Sequence, residues 1–263
     1  MINIKKISSK ASYYIWLLNS YIAGKQSSDT QNKAVAILAS YHIERMKNIE
    51  PLVRSILKCD FIKKIILSNH NPNVLIEDWV KIKDDRLNMI NQPTRRGPGY
   101  CWDLAKKEDS QFFILIDDDF LVSPKQIKIL FQRLLDNSDI PHGVTGHNNL
   151  EYYQNIDMEV DILNQIYAIT KTHLNKYFEI AEAINAIDHE AYETIEPYAH
   201  EIIISKTGKN RPRIHNIGLL TRCPTARKPS VAIHQSEDFR IKRVKVFNAL
   251  QTVMQNTCSD KMP

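Results

Sequence analysis

The chain has 263 residues, of which 43% are hydrophobic and 25% charged, as is ordinary for a soluble globular protein with one large domain or two small ones. Its formal net charge of +5 favours an anionic ligand but is too modest and too dispersed for a nucleic-acid interface, so no nucleic-acid partner is expected. The four cysteines are far apart and form no CxxC pair, which argues against a zinc site and against a disulfide framework.

The N-terminal residues 1–33 are predicted to form a helix and a linker. Segment 11–24, ASYYIWLLNSYIAG, is apolar, but it is short and is interrupted by Asn19. We interpret it as an amphipathic helix that lies on the domain rather than as a targeting segment, and 25–33 as a polar linker. No apolar run approaches the length of a membrane helix, so no membrane span and a cytoplasmic location are expected.

Apolar runs alternate with helical patterns from residue 34 to about residue 135. Strands are predicted at 34–40, 63–72, 86–93 and 111–117, with helices from residue 49, at 100–108 and at 125–136, and a fifth strand or turn at 143–148. This alternation predicts a mostly parallel sheet with helices on both faces. The loops that follow the strands then meet at one edge of the sheet, where open α/β folds bind their ligands.

The second half of the chain is less regular. Segment 161–170 is predicted to be a strand and 173–195 a helix, while 199–212 fits either a helix or a strand that leads into a turn. Segment 236–254 is predicted to be a basic amphipathic helix.

The segment 111–124, QFFILIDDDFLVSP, carries the strongest functional signal. Its apolar run predicts a strand buried on both faces, and the three carboxylates Asp117, Asp118 and Asp119 follow at the end of that strand. Adjacent like charges are costly to bury, and hard carboxylate oxygens suit Mg²⁺ or Mn²⁺, which usually add water and substrate phosphates to their shell. The alternative is a solvated acidic turn before a helix capped by Ser123, although a cap needs one side chain and not three.

A strand that ends in DDD, after a basic loop and two α/β units, resembles the nucleotide-sugar domain of GT-A glycosyltransferases, most nearly the exostosin-like and family 2 type enzymes. Three further parts of the chain resemble segments of these enzymes. They are CDFIKKIILSNHNPN at 59–73, HEIIIS with RPRIHNIG at 200–218, and EDFRIKRVKVFNAL at 237–250. The resemblance covers about residues 34–255 and implies a GT-A-like α/β fold. It also implies a nucleotide-sugar-binding half at 34–150 and an acceptor-side half at 151–263 of the same domain.

The resemblance implies a metal-dependent transferase that moves a sugar from a nucleoside-diphosphate sugar, UDP-linked in the first instance, to an acceptor hydroxyl. The acceptor would be a glycan, a protein or a small molecule, and the cofactor Mn²⁺ or Mg²⁺. By resemblance, Asp119 is a direct metal ligand, Asp117 contacts the ribose or the metal, and Asp118 contacts the sugar.

Four further side chains are candidates for donor binding. Arg95 and Arg96 carry forked donors suited to a diphosphate, Asn69 follows the second strand and can contact the base or ribose, and Arg243 can clamp the diphosphate from the last helix. Their structural alternatives are a solvated loop for the two arginines, a turn residue that bonds its own backbone for Asn69, and a basic surface for Arg243.

Glu201 is the candidate base or electrostatic stabiliser, and His215 a candidate metal ligand. The alternatives are a solvated glutamate and a structural histidine. The chain departs from the family pattern, because His200 and Asn216 stand where the related enzymes have acidic residues. These departures favour a second hypothesis, a non-catalytic domain that binds a nucleotide sugar or a partner protein. A third, a nucleotidyltransferase, fits less well because the loop after the first strand, SYHIERMK, lacks glycine.

Overall fold

The computed structural model describes residues 4–28, 31–148, 151–226, 228 and 238–259. Within these residues a nine-stranded sheet lies between two layers of helices, and a separate strand pair completes the fold. The strands are β1 (Ala34–Ser40), β2 (Ile62–Asn69), β3 (Leu87–Asn91), β4 (Phe112–Asp117), β5 (Phe120–Leu121), β6 (His142–Asn148), β7 (Glu151–Gln154), β8 (Met158–Glu159), β9 (Ile162–Thr170), β10 (Arg213–Ile214) and β11 (Thr221–Arg222). The helices are α1 (Ile4–Ile22), α2 (Ile43–Met46), α3 (Ile49–Leu57), α4 (Tyr100–Lys106), α5 (Pro124–Asp136), α6 (Lys171–Ile187), α7 (His189–Thr194), α8 (His200–Ile204) and α9 (Phe239–Ser259).

The sheet has the order β3-β2-β1-β4-β9-β6-β10-β8, with β7 paired to β6. Strands β3, β2, β1 and β4 are mutually parallel, and β9 runs antiparallel between β4 and β6. Most strands of this path therefore run in one direction, and the predicted α/β class with a mostly parallel sheet flanked by helices is confirmed. Both halves of the chain contribute strands to the same sheet.

The central strand β1 shows why the sheet is buried on both faces. Its sequence AVAILAS is almost entirely shielded from solvent, and alternate side chains enter two different cores. Leu38 packs in the core that also contains side chains of α1, α3 and α5, whereas Ile37 packs with side chains of α4, α6 and α8. A strand at the centre of the sheet therefore needs an uninterrupted run of apolar residues.

Helix α1 packs on the first core through one face. Tyr13 and Trp16 are buried, and the Tyr13 hydroxyl donates to Asn48 Oδ1 over 3.0 Å. The opposite face exposes Ile15 and Leu18, so the helix is amphipathic. In the parts of the chain that the structure describes, no helix has both the length and the apolar character needed to cross a bilayer.

The structure refines the prediction for the second half in three places. Segment 173–195 is helical as predicted, but it is divided into α6 and α7, because the Asp188 side chain accepts the Ala191 N–H and starts the second helix. Of the two alternatives at 199–212, the structure shows the helix α8, preceded by one π-helical turn at Ile195–Ala199. The last helix begins at Phe239, and residues 236–237 of the predicted span lie outside the described part of the chain.

Candidate functional site

A cleft of about 1550 Å³ opens at the carboxyl edge of the parallel strands. Chain segments that follow β1, β2 and β4 form one wall, and the segment around α8 together with the start of α9 forms the other. Seven of the nine predicted site residues line it: Arg95, Arg96, Asp117, Asp118, Asp119, Glu201 and Arg243. The position agrees with the general rule that open α/β sheets bind ligands beyond the carboxyl ends of their strands.

The three carboxylates lie at the end of β4 and are largely shielded from water. Burial, reinforced by Asp119 and Asp118, holds the pKa of Asp117 well above its ordinary value. Burial also raises the pKa of Asp119 to about 6, although nearby Arg45 opposes this shift. Asp119 Oδ1 is buried and accepts no hydrogen bond from any described residue. An ionised Asp119 in this environment is short of a cationic partner.

Arg45 of α2 is the cation that contacts the trio directly. Its Nη1 donates to Asp118 Oδ1 over 2.8 Å, and its Nη2 lies 3.7 Å from Asp119 Oδ2. The other oxygen of Asp118, Oδ2, accepts the Ser40 hydroxyl over 3.0 Å. Because Ser40 ends β1 and Asp117 pairs in register beside that strand end, the sheet itself brings Arg45 to the trio.

Arg45 alone does not balance the trio, because three fully ionised carboxylates would exceed its charge by two. Among the described residues no three His, Cys, Asp or Glu side chains form a group that could hold a metal ion. Mg²⁺ and related ions are nevertheless often held by one or two carboxylates and complete their shell with water and phosphate oxygens. Asp119, with its unpartnered Oδ1, and Asp117 fit that simpler kind of site.

The opposite wall presents Glu201 in an ion pair with Arg243. Arg243 Nη1 contacts Glu201 Oε1 and also donates to the Tyr198 carbonyl over 3.1 Å. Both side chains are mostly buried, with exposures of 11% for Glu201 and 17% for Arg243. The one-to-one pairing leaves no net charge on this pair.

His200 lies next to Glu201 in the same wall of the cleft. Its Nδ1 accepts the indole N–H of Trp102 over 3.1 Å, so a neutral ring carries its proton on Nε2, 3.8 Å from Glu201 Oε2. Burial lowers the pKa of His200 to about 3, which keeps the ring neutral at physiological pH. This chain therefore places an uncharged histidine ring beside the Glu201 carboxylate.

The basic loop after β3 is fastened to the opposite wall. The Gly97 N–H donates to Glu196 Oε1 over 2.8 Å, and the Gly99 N–H to the Glu196 carbonyl over 2.9 Å. A Cβ on Gly97 would lie 2.5 Å from the Pro197 Cα, so only glycine permits this approach.

This loop carries the two predicted arginines into the cleft. The guanidinium of Arg95 lies 4.7 Å from the ring centre of Tyr41, and that of Arg96 lies 4.6 Å from the ring centre of Tyr100. The stacked aromatic rings fix the orientation of the guanidinium groups while leaving their N–H edges available for an anion.

Two predicted site residues lie away from the cleft lining. The Asn69 carboxamide bonds its own loop, since Nδ2 donates to the Asn71 carbonyl and Oδ1 accepts the Asn71 N–H. His215 lies in a second cavity, where Nε2 is 2.8 Å from His142 Nδ1 and Nδ1 is 3.1 Å from Asp157 Oδ1. The structure thus gives Asn69 the alternative role of a turn residue and does not bring His215 to the carboxylate trio.

Sequence reasoning missed several polar residues of the cleft. They include Arg45, Tyr152, Gln165 and Arg222. Gln165 has a left-handed backbone (φ 67°), and its Oε1 accepts from the Tyr152 hydroxyl over 3.1 Å. Arg222 contacts Tyr152 and lies over the Phe120 ring, because the pair β5–β11 sets these strands side by side. Of these four residues, only Arg45 could have been expected from the sequence, because it lies in the segment directly after the first strand.

Comparison with known proteins gives a fold but no family. No protein-family model and no curated protein sequence matches the chain. Among solved structures, the chain is similar to GalNAc-T7 crystallised with UDP, GalNAc and Mn²⁺, with a TM-score of 0.58 and 9% identity over 84% of this chain. The match spans about half (48%) of the GalNAc-T7 chain.

Two weaker similarities accompany it. TarS of S. aureus, residues 1–349, matches with a TM-score of 0.48 and 14% identity over 84% of this chain and 72% of TarS. The synthetase of CMP:2-keto-3-deoxy-manno-octonic acid, in complex with CTP, matches with a TM-score of 0.40 and 12% identity over 57% of this chain and 78% of the synthetase. The fold of this chain is therefore GT-A-like, as the similarity to GalNAc-T7 shows.

Proposed function

We propose that this protein is a metal-dependent glycosyltransferase, which moves a sugar from a nucleoside-diphosphate sugar to an acceptor hydroxyl. A UDP-linked donor is the first candidate, and the acceptor is a glycan, a protein or a small molecule. The observation that carries the proposal is a single cleft with the Asp117–Asp119 trio on one wall and Glu201 on the other. The GT-A-like fold supports it, since GalNAc-T7 was crystallised with UDP, GalNAc and Mn²⁺.

The donor would bind on the wall formed by the first half of the chain. Asp119 and Asp117 would hold Mn²⁺ or Mg²⁺, which neutralises the charge that develops on a leaving diphosphate. Arg95 and Arg96 would donate to the diphosphate oxygens from a loop that is already fixed against the opposite wall. When all three carboxylates ionise, their excess of two negative charges over Arg45 would match one divalent cation.

The acceptor would lie against the wall that carries Glu201. The Glu201 carboxylate would accept the proton of the acceptor hydroxyl or stabilise positive charge at the anomeric carbon. Arg243 holds this carboxylate in the cleft through its ion pair, and the Nε2–H of His200 lies 3.8 Å from it. Arg243 also lines the cleft, so contact with the diphosphate stays part of its proposed role.

A panel of UDP- and GDP-sugars, with and without Mn²⁺, tests this function in two measurements. The right donor raises the free energy of unfolding by RT ln(1 + [L]/Kd) and therefore raises the melting temperature. It does so only in the presence of the metal. Slow release of UDP or GDP from the same donor then reports turnover. Asp119→Ala is expected to lose both responses. Absence of any Mn²⁺-dependent stabilisation across the panel contradicts the proposal.

A second candidate function is favoured by one observation, the ion pair that already engages Glu201 with Arg243. In that case the domain binds a nucleotide sugar without transferring it. Stabilisation by a donor without any release of nucleotide, at enzyme concentrations near that of the donor, supports this second function over the first.

A further inference from the structure

We infer that Arg45 is a second, built-in cation of the donor site, that it contacts the diphosphate, and that Asp118 positions Arg45 instead of binding the metal. This inference rests on the proposed function and extends it to two residues. In the sequence-based assignment Asp118 contacts the donor sugar and Arg45 has no role. Three features of the structure point to the different assignment.

Both carboxylate oxygens of Asp118 are already engaged by the protein. Oδ1 accepts from Arg45 Nη1 over 2.8 Å, and Oδ2 accepts from the Ser40 hydroxyl over 3.0 Å. Asp118 is 7% exposed, so water is not a ready substitute for either partner. To bind a cation or a sugar hydroxyl as its main contact, Asp118 would have to give up a buried charge-assisted bond, which is costly to leave unmade.

Arg45, in contrast, has N–H groups that make no hydrogen bond with the described residues. Its Nη2 lies 3.7 Å from Asp119 Oδ2, which is beyond hydrogen-bond length, and its Nε is buried with no partner among the described residues. A largely buried guanidinium with unused N–H groups needs an acceptor, and Arg45 lines the cleft. Diphosphate oxygens offer paired acceptors that the planar guanidinium fork fits.

The neighbouring Asp119 fixes where such a diphosphate lies. Its Oδ1 is the buried oxygen without a partner, so a cation at that atom and the guanidinium of Arg45 would stand next to each other. Phosphate oxygens that complete the shell of the cation then come beside Arg45 as well. The same closeness makes the two positive charges repel each other when no diphosphate is bound.

Arg45→Gln is therefore expected to change two affinities in opposite directions. Mn²⁺ alone, titrated by isothermal calorimetry or by the loss of its free-ion EPR signal, binds about tenfold more tightly once the neighbouring positive charge is gone. UDP, titrated at saturating Mn²⁺, binds roughly tenfold to a hundredfold more weakly because charge-assisted hydrogen bonds are lost. A merely structural role for Arg45 would weaken both.

The double variant Arg45→Gln/Asp118→Asn isolates the role of Asp118, because it removes one charge of each sign and leaves the net charge of the site unchanged. It should bind Mn²⁺ as the wild type does and UDP as weakly as Arg45→Gln. Arg45→Lys keeps the charge without the fork, so its Mn²⁺ affinity should equal that of the wild type while its UDP affinity falls between the other two. Arg54→Gln, which removes a half-exposed arginine paired with Glu50 outside the cleft, is the control and should change neither affinity.

The outcomes separate cleanly. A wild-type protein that binds neither Mn²⁺ nor UDP overturns the proposed function, and this inference with it. A wild type that binds both, together with an Arg45→Gln protein of unchanged UDP affinity or of reduced Mn²⁺ affinity, overturns this inference alone. The same holds if the double variant loses Mn²⁺, since Asp118 is then a ligand. If Arg45→Gln does not fold, unchanged UDP affinity in Arg45→Lys overturns the requirement for the guanidinium fork.

Discussion

Each wall of the cleft carries a group in which carboxylates contact an arginine, but the two groups differ in their balance of charge. On one wall Arg45 faces three aspartates, and on the other Arg243 faces Glu201 alone. Burial raises the pKa of Asp117 and Asp119, as expected for carboxylates that lack sufficient positive charge nearby. The first group therefore has unbalanced charge when it is fully ionised, whereas the second is balanced as it stands. Under the proposed function, the first group would bind a cation and the second would hold one carboxylate in place.

The largest expected effect concerns the balanced wall. Glu201→Gln keeps the shape of the side chain but removes the negative charge, so glycosyl transfer should fall by about 10²–10⁴-fold if Glu201 acts as base or stabiliser. Binding of Mn²⁺ and UDP should change little, because the trio on the other wall is intact. The prediction is checked by measuring initial rates of transfer with the preferred donor and the affinities for Mn²⁺ and UDP.

Glu193→Gln is the matched control for this variant. Glu193 lines the same cleft but is 69% exposed, and its ion-pair partner within 4 Å is His189. Transfer by Glu193→Gln should stay near that of the wild type. Retention of more than a tenth of the activity by Glu201→Gln would instead assign Glu201 a purely structural pairing with Arg243.

The next effect concerns the unbalanced wall and has an unusual sign. In the folded protein the pKa of Asp119 is raised to about 6, whereas an ordinary aspartate has 3.8. Above pH 6 the folded state thus carries a charge that the unfolded chain bears more easily, and this penalty disappears as the pH falls toward 4. Asp119→Asn should abolish Mn²⁺ binding and yet stabilise the metal-free protein at pH 7.5, by up to about 3 kcal/mol.

Thermal unfolding in EDTA at pH 7.5 and at pH 4.5 tests this sign. The melting temperature of Asp119→Asn should exceed that of the wild type at pH 7.5, by roughly 2–4 °C for each kcal/mol, and the gain should shrink at pH 4.5. An equal or lower melting temperature at pH 7.5 contradicts the charge imbalance. Ser123→Ala, which removes the cap of α5 a few residues away, should lower stability at both pH values and so controls for local disruption.

The two walls also differ in how far the sequence predicted them. The Asp117–Asp119 wall could be predicted because an apolar strand and three carboxylates follow one another directly in the sequence. The register of β1 with β4 is not needed to recognise this pattern. Strand β1 was predicted to the residue for the same reason, since a strand buried on both faces needs an unbroken apolar run.

The Glu201 wall depends on contacts between distant residues. Glu201 and Arg243 are 42 positions apart in the sequence. Their pairing depends on how α8 packs against α9, and no local sequence pattern predicts that packing. The break at Asp188 was missed because a capping aspartate within an otherwise helical pattern looks like an ordinary surface residue. Asn69 and His215 were chosen for their chemistry alone, and only the fold shows that their polar atoms are used elsewhere.

The smallest expected effect tests whether the two walls act as one unit. They meet at Gly97, where an added Cβ would lie 2.5 Å from the Pro197 Cα and 2.7 Å from the Glu196 carbonyl oxygen. Both neighbours are backbone atoms, so Gly97→Ala must push the walls apart and should lower the free energy of unfolding by about 1–3 kcal/mol. Gly24→Ala is the control, since its Cβ meets nothing within 4 Å.

The displaced loop carries Arg95 and Arg96, so Gly97→Ala should also weaken UDP binding at saturating Mn²⁺, while Mn²⁺ binding alone stays unchanged. Loss of UDP affinity together with Mn²⁺ affinity would mean that the strain reaches the trio, and that the walls are less independent than their charges suggest. Equal melting temperatures for Gly97→Ala and Gly24→Ala would show that the walls separate without cost. In that case the two carboxylate groups are held by walls that can shift independently of each other.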